Sequence, residues 1–121
     1  MMTFTRLTGI QGESMAAEYL ENNGYAILER NARTPYGEID LVAQQASVTV
    51  FVEVKTRRST RYGNPEESVT PIKRVHLLSA IQSYLQSHPE LDGDWRVDVI
   101  AIQLNNSAAG SDLTHFENAI S

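Results

Sequence analysis

One stretch, Val48-Thr49-Val50-Phe51-Val52-Glu53-Val54-Lys55, constrains the fold of this chain more than any other. Its β-branched and aromatic residues predict a strand that is too apolar for the edge of a sheet. Side chains alternate between the two faces of a strand, so Glu53 and Lys55 share a face with Phe51. Because burying an unpaired charge costs several kcal/mol, the strand is expected to end at a wet cleft or at a metal ion.

The preceding segment brings a second carboxylate to this strand. Gly37 to Ala43 predicts another strand, and the polar residues Gln44 to Ser47 predict the turn of an antiparallel hairpin. If the turn is centred near Gln45, Asp40 faces Phe51 and lies diagonal to Glu53. A slightly later centre puts Asp40 directly opposite Glu53. Either register places both carboxylates on one face, within reach of a shared cation.

Two helices are predicted around the hairpin. The first runs from about Gly9 to Asn22, with Thr8 as its N-cap and Asn23-Gly24 as its stop. The second follows the cap Thr70, has proline at its first position and ends near Ser87, before Pro89.

Further strands are predicted on either side of the second helix. Tyr25 to Arg30 predicts a strand followed by a loop over Asn31 to Pro35, and Trp95 to Ile102 predicts a central strand. Thr56 to Ser68 is a predicted loop, as is the apolar-poor run from Asn105 to Asp112, after which Leu113 to Phe116 could add an edge strand.

The order of these elements predicts the fold class. It is helix, three strands, helix, strand (αβββαβ), an α/β arrangement in which a three-strand meander leads through a helical crossover to a strand parallel with the meander. A mixed central sheet flanked by helices is therefore expected. The 121 residues are expected to form a single domain, 1–121, with a core over about 9–104 and a loop and edge strand over 105–121.

Composition excludes several classes of site. The chain contains no cysteine, so disulfides, thiolate-bound zinc, iron–sulfur clusters and cysteine nucleophiles are ruled out. No apolar run approaches the roughly 20 residues that span a bilayer, and the first ten residues do not match a signal peptide. A soluble, cytoplasmic protein without a membrane partner is expected.

The charges are unevenly distributed along the chain. The formal net charge is -5, yet the segment from Arg30 to Arg74 holds eight bases and five acids, a surplus of three positive charges. The flanks hold two bases and ten acids. A local basic surplus around the carboxylates suits an anionic ligand, because the local field matters more than the total charge. A solvated loop carrying Arg57, Arg58 and Arg61 is the alternative explanation.

The candidate site favours a hard divalent cation. Two carboxylates without a cysteine or histidine set match the oxygen ligands of Mg²⁺ or Mn²⁺. Asp40 and Glu53 would hold the ion, the Val54 backbone carbonyl would be an additional ligand, and Lys55 would position an attacking water or stabilise charge on a phosphate. The histidines are scattered and are predicted not to be ligands: His76, His88 and His115.

Four segments resemble the YraN family, also called UPF0102. The match covers about Gly9 to Ile102 and rests on these motifs: Gly12-Glu13-x-x-Ala16-Ala17-x-x-Leu20, Asn31-x-Arg33-Thr34-Pro35-Tyr36-Gly37-Glu38-Ile39-Asp40-Leu41, Phe51-Val52-Glu53-Val54-Lys55-Thr56-Arg57 and Arg96-x-Asp98-Val99. The resemblance implies a restriction-endonuclease-like fold, similar to archaeal Holliday-junction resolvases, with a PD-(D/E)xK type of site. Val97 departs from the aromatic residue that the family often has at this position.

The resemblance also assigns residues to the site. The nuclease motif transfers onto Asp40, Glu53 and Lys55, and similarity to resolvases adds Glu13, which the residues alone would place on the surface. Glu38 remains open between a ligand and a partner for an arginine. For Arg96 and Asp98, which share a strand face, a structural salt bridge is predicted.

These residues and the resemblance predict a metal-dependent endonuclease that hydrolyses phosphodiester bonds in DNA, with branched or junction DNA as a candidate substrate. DNA is favoured over RNA, and a homodimer is left open. Five bases are expected to contact nucleic acid: Arg33, Arg57, Arg58, Arg61 and Lys73. The alternative is a nucleic-acid-binding module that keeps the nuclease fold without hydrolytic activity. A purely structural domain is disfavoured by the charged end of an apolar strand.

Overall fold

A computed structural model of the chain describes residues 4–57, 70–104 and 111–120. Within these residues the protein has two helices and five strands in the order αβββαββ. The elements are α1 (Phe4–Asn22), β1 (Ala26–Thr34), β2 (Gly37–Gln45), β3 (Val48–Arg57), α2 (Pro71–Ser87), β4 (Trp95–Leu104) and β5 (Ser111–Ile120).

The five strands form one mixed sheet in sequential order, β1-β2-β3-β4-β5. The first three strands pair antiparallel as a meander, and β4 lies parallel to β3 after the crossover through α2. β5 returns antiparallel to β4 at the edge. The predicted α/β class, the meander and the parallel crossover are therefore confirmed.

Helix α1 ends where the sequence predicts but starts earlier than predicted. Its end at Asn22 agrees with the prediction, because Gly24 adopts a left-handed φ of 88° and Tyr25 N–H donates to Leu20 C=O. Its start does not agree: the helix begins at Phe4, so the predicted cap Thr8 lies inside it. The preceding residues include no glycine or proline, and a helix that packs against a sheet can extend past a local capping pattern.

β1 is longer than the sequence predicts. It continues through Asn31 to Thr34, where a loop was expected, and it stays paired with β2 throughout. Asn31 has a left-handed φ of 52°, a conformation that asparagine tolerates better than most residues. One left-handed residue is therefore accommodated within the strand, and the turn is confined to Pro35-Tyr36.

α2 matches its prediction at both ends. It begins at Pro71, Thr70 Oγ1 accepts the Lys73 N–H at 3.2 Å, and it ends at Ser87. The neighbouring loops are shorter than predicted, because Thr56 and Arg57 belong to β3 and β5 already begins at Ser111. The remainder of those predicted loops, 58–68 and 105–110, lies outside the described residues.

The core consists of two apolar clusters, one on each face of the sheet. α1 packs Ala16, Ala17 and Leu20 on one face, and α2 packs Leu77, Ile81 and Tyr84 on the other. β3 contributes to both, with Val50 and Val52 in the first cluster and Phe51 in the second. The alternation predicted for this strand is confirmed, so Glu53 and Lys55 lie on the face covered by α2. Across the described residues, neither helix is long and apolar enough to span a membrane.

Candidate active site

The hairpin register places two carboxylates opposite one another. The β2–β3 turn is centred at Ala46-Ser47, and the pairing runs from Gln45–Val48 to Leu41–Val52. The next position in this register sets Asp40 opposite Glu53, which is the later of the two turn centres considered from the sequence. The two acids thus meet at the end of the paired region.

Asp40 occupies the gap where the pairing of β2 and β3 ends. Its Oδ2 accepts the Val54 N–H at 2.8 Å, so a side chain takes the place of a backbone acceptor from β2. The N–H and C=O of one strand residue point to the same side. The Val54 carbonyl therefore faces the same gap as the Asp40 carboxylate.

Glu53 and Lys55 form an ion pair beside this gap. Lys55 Nζ lies 3.2 Å from Glu53 Oε1, and the side chains are only 17% and 22% exposed. The two residues are separated by one position on β3 and share a face, as the strand period requires. The lysine is therefore held next to the carboxylate pair.

Glu13 reaches the site from α1 through a close helix–strand contact. The neighbouring Gly12 packs against Thr56 of β3 so tightly that an added Cβ would lie 2.9 Å from the Thr56 Cβ. The Asn31 side chain of β1 opposes the raised pKa of Glu13 by hydrogen bonding to its charged form. Residues of α1, β1 and β3 thus combine to hold Glu13 near the strand ends.

Burial and neighbouring carboxylates raise the pKa of two acids of the site, Asp40 and Glu13. Burial, followed by the charge of Glu53, raises the pKa of Asp40 to about 8, and Glu13 adds to the effect. The Val54 N–H and Lys55 oppose this shift. Burial also raises the pKa of Glu13, with smaller contributions from the charges of Glu38 and Glu53. The site therefore concentrates negative charge that a bound cation would relieve.

The candidate ligand atoms are of the type that a hard cation prefers. Asp40, Glu53 and the Val54 carbonyl offer only oxygen, as Mg²⁺ and Mn²⁺ prefer. Within residues 4–57, 70–104 and 111–120, however, no group of three or more histidine, aspartate or glutamate side chains is arranged to hold a metal ion. Glu13 thus interacts electrostatically with Asp40 without completing a ligand set.

Three of the five bases named from the sequence, Arg33, Arg57 and Lys73, lie within the described residues. Arg33 lies across the β1–β2 pair from Glu38, 3.9 Å from its carboxylate, so the pairing alternative for Glu38 is observed. Arg57 ends β3. Arg58 and Arg61 lie outside the described residues.

A cleft of about 210 Å³ opens next to the carboxylates on the α2 face. Glu53 and Lys55 line it from β3, and Lys73 lines it from the first turn of α2. Tyr36 and Glu38 of the β1–β2 hairpin and His76 of α2 also line it. Glu53, Lys55, Lys73 and Glu38 were candidates from the sequence, and His76 was predicted not to be a ligand. Tyr36 was not singled out, because the crossover that brings α2 over the strand ends is a long-range feature.

A second buried polar cluster lies away from the site, between α1, β4 and β5. The fully buried Asp98 accepts from Arg96 Nε at 3.0 Å, and His115 Nε2 lies 2.7 Å from its other oxygen. The Asn118 N–H also donates to Asp98. The predicted Arg96–Asp98 salt bridge is thus observed. The contact of His115 with Asp98 was not predicted, because the sequence indicates an edge strand here without its register.

The fold and the site define the class of the protein. It is an α/β protein with the element order αβββαββ, and its central strands present Asp40, Glu53 and Lys55 at one end. Comparison with known proteins then places it more closely. The chain belongs to the family described as "Uncharacterised protein family UPF0102", whose model matches residues 12–102.

Individual relatives cover most of the chain. A UPF0102 protein of Syntrophomonas wolfei is 48% identical over 114 residues, which are 94% of this chain and 97% of the relative. One of Dehalococcoides mccartyi is 46% identical over 98 residues, 81% of each chain. Among solved structures, an EndoMS–dsDNA complex matches with a TM-score of 0.38 at 22% identity, covering 74% of this chain and 34% of that one.

Proposed function

We propose that this protein is a metal-dependent endonuclease that hydrolyses phosphodiester bonds in DNA. The observation that carries the proposal is the position of Asp40: a largely buried carboxylate opposite Glu53 and bonded to the Val54 N–H where two central strands part. A buried acid whose pKa is raised by a second acid, beside a cleft, is a typical sign of a functional site.

Each residue has a chemical role in this proposal. Asp40, Glu53 and the Val54 carbonyl would hold Mg²⁺ or Mn²⁺, with Glu13 as an outer acid. When bound, the ion would supply Lewis-acid polarisation of a phosphoryl oxygen and a lower pKa for water. Lys55, already held 3.2 Å from Glu53, places a positive charge where charge develops on the phosphate.

Nucleic acid as the partner is supported by the local charge. The bases between Arg30 and Arg74 outnumber the acids there, although the whole chain is acidic. Lys73 and Lys55 line one cleft, so two of these bases lie where a phosphodiester would have to bind. The preference for DNA, and for branched forms of it, comes from the resemblance to resolvases.

A cleavage screen tests the proposal. Purified protein is incubated with nicked, flapped, four-way, single-stranded and blunt duplex DNA, in Mg²⁺, in Mn²⁺ and in EDTA. At least one substrate should be cut with metal and none in EDTA. Asp40→Asn and Glu53→Gln should abolish cutting, because each removes a charged oxygen donor but preserves shape.

Matched surface substitutions control the screen. Asp92→Asn and Glu21→Gln change exposed acids away from the site and should cut like wild type. Equal cutting by wild type and Asp40→Asn would show that the activity arises elsewhere, and absence of cutting on every substrate with both metals would reject hydrolysis.

One observation favours a second function, a nucleic-acid-binding module that does not cut. Among the described residues, no three acids or histidines gather around one point, and Lys55 neutralises Glu53 directly. Such a module should bind DNA with an affinity that falls as salt rises and should lose affinity on Arg57→Ala, with no cleavage under any metal. Binding that is indifferent to salt and to Arg57 would exclude it.

A further inference from the structure

The β1–β2 turn presents an aromatic ring at the mouth of the cleft. Tyr36 is 57% exposed, although it belongs to a tightly bonded turn. Thr34 Oγ1 accepts the Tyr36 N–H at 3.1 Å and donates to the Gly37 C=O at 2.7 Å. The backbone that carries the ring is thus fixed, while the ring itself makes few contacts with the protein.

The cleft behind this ring has an apolar wall, two lysines and two glutamates, Glu38 and Glu53. Leu77 and Ala80 of α2 are buried and form its apolar wall. Lys73, in the first turn of the same helix, and Lys55 of β3 bring positive charge to the same space. A ligand that uses the ring and the lysines has a flat aromatic part for the ring and an anionic part for the lysines.

We infer that this cleft is a subsite for one unpaired nucleotide, whose base stacks on Tyr36 and whose phosphate binds between Lys73 and Lys55. The subsite rests on the proposed function, since Glu53 and Lys55 belong both to the cleft and to the carboxylate site. The phosphate would lie next to the proposed point of hydrolysis.

Stacking on Tyr36 requires a base that has left its own helical stack. A base inside a continuous duplex offers its edges to the groove, whereas an unpaired base offers a whole face to an aromatic side chain. The subsite therefore selects single strands, flaps and branch points over blunt duplex, and it does so without reading the base sequence.

Binding in EDTA tests the subsite separately from hydrolysis. Fluorescence anisotropy is measured with an oligothymidine, a flapped duplex, a blunt duplex and an oligouridine. The proteins are wild type, Tyr36→Ala, Tyr36→Phe and Leu28→Ala, the last removing an exposed apolar side chain on β1 outside the cleft. Circular dichroism confirms that the variants are folded.

Tyr36→Ala should bind the oligothymidine and the flapped duplex about 5- to 150-fold more weakly, the range expected for loss of one base–aromatic stack. Tyr36→Phe and Leu28→Ala should bind like wild type, and all four proteins should bind blunt duplex equally. A parallel loss on oligouridine would extend the subsite to RNA, and a loss on thymidine alone would restrict it to DNA.

Two results would contradict the proposed subsite, and they bear differently on the proposed function. If Tyr36→Ala binds every probe like wild type, or loses blunt duplex to the same extent, the subsite is rejected while the proposed function stands. If wild type binds none of the probes, the subsite is likewise rejected, and the cleavage screen with Mg²⁺ and Mn²⁺ decides the proposed function.

Discussion

At the scale of single residues, the fold destabilises the charged form of Asp40. It is buried opposite Glu53 and near Glu13, and one N–H from Val54 does not offset those like charges. The metal-free protein therefore favours the neutral acid at this position, whereas a cation would favour the carboxylate. The proton on Asp40 therefore stabilises the metal-free fold, and it must leave before a cation can bind to the carboxylate.

This competition predicts a pH-dependent stability in EDTA. The pKa of Asp40 is about 8 in the folded protein against a usual value of 3.8, so between these pH values the folded chain holds a proton that the unfolded chain has released. The free energy of unfolding should fall across this window as pH rises, by about 1.4 kcal/mol for each pKa unit of the shift. Urea denaturation at a series of pH values measures it.

The matched variant for this measurement is Asp40→Asn. It keeps an acceptor for the Val54 N–H and cannot ionise, so its stability should equal that of wild type near pH 4 and exceed it near pH 8. Parallel pH profiles for the two proteins would contradict the assigned pKa.

At the scale of elements, the contact between α1 and β3 positions the outer acid of the site. Gly12 allows the helix to approach Thr56, and the next residue, Glu13, then reaches the strand ends. Any side chain at position 12 would overlap Thr56. The absence of a side chain at Gly12 thus lets the helix pack closely enough for Glu13 to influence the pKa of Asp40.

Gly12→Ala should destabilise the protein by about 1–3 kcal/mol, the usual cost of overpacking. The helix must move away from β3 to make room for the methyl group. Glu13 should then raise the pKa of Asp40 less than it does in wild type. Thermal or urea denaturation measures the cost, and adding Thr56→Ala should restore part of it by removing the overlapping hydroxyl and methyl groups. Wild-type stability of the single variant would disprove the close approach.

The link between β4 and β5 is a second element-scale feature. Asp98 is buried and takes hydrogen bonds from Arg96 on its own strand and from the Asn118 N–H, with His115 of β5 also in contact. Asn118 has a left-handed φ of 49°, near the register shift between Val97 and Val99. A carboxylate therefore holds an irregular edge strand in register.

Arg96→Met should lower the free energy of unfolding by about 3 kcal/mol, because it leaves the buried Asp98 carboxylate short of its charge partner. Arg96→Met combined with Asp98→Asn should recover part of this loss, since no unpaired charge remains. Urea denaturation of both variants checks the prediction. A single variant as stable as wild type would indicate that His115 and Asn118 suffice to hold Asp98.

At the scale of the whole molecule, the elements that are determined by a few adjacent residues were predicted from the sequence. The apolar strand around Phe51, the hairpin after Asp40 and the capped helix from Pro71 carry their signals in a few adjacent residues, and all three are observed. The register of the hairpin was narrowed to two alternatives, because a turn of polar residues without glycine does not define its own centre.

Features made by distant segments were not predictable in the same way. α1 starts earlier than its local cap indicates, and β1 continues through Asn31 because β2 pairs with it. The role of His115 depends on β5 meeting Asp98, and the cleft at Tyr36 depends on α2 crossing the strand ends. Each of these is a tertiary contact that no short window of sequence contains.

We claim that Asp40 and Glu53 form a cation site, and Mn²⁺ binding measures this property of the site without any substrate. Titration by electron paramagnetic resonance, at a pH above the Asp40 pKa of about 8, compares wild type with Asp40→Asn, Glu53→Gln and the surface control Asp92→Asn. Wild type and the control should bind Mn²⁺, and each site variant should bind more than about tenfold more weakly, since even outer-shell changes cost that much. Equal binding by wild type and Asp40→Asn would contradict the claim.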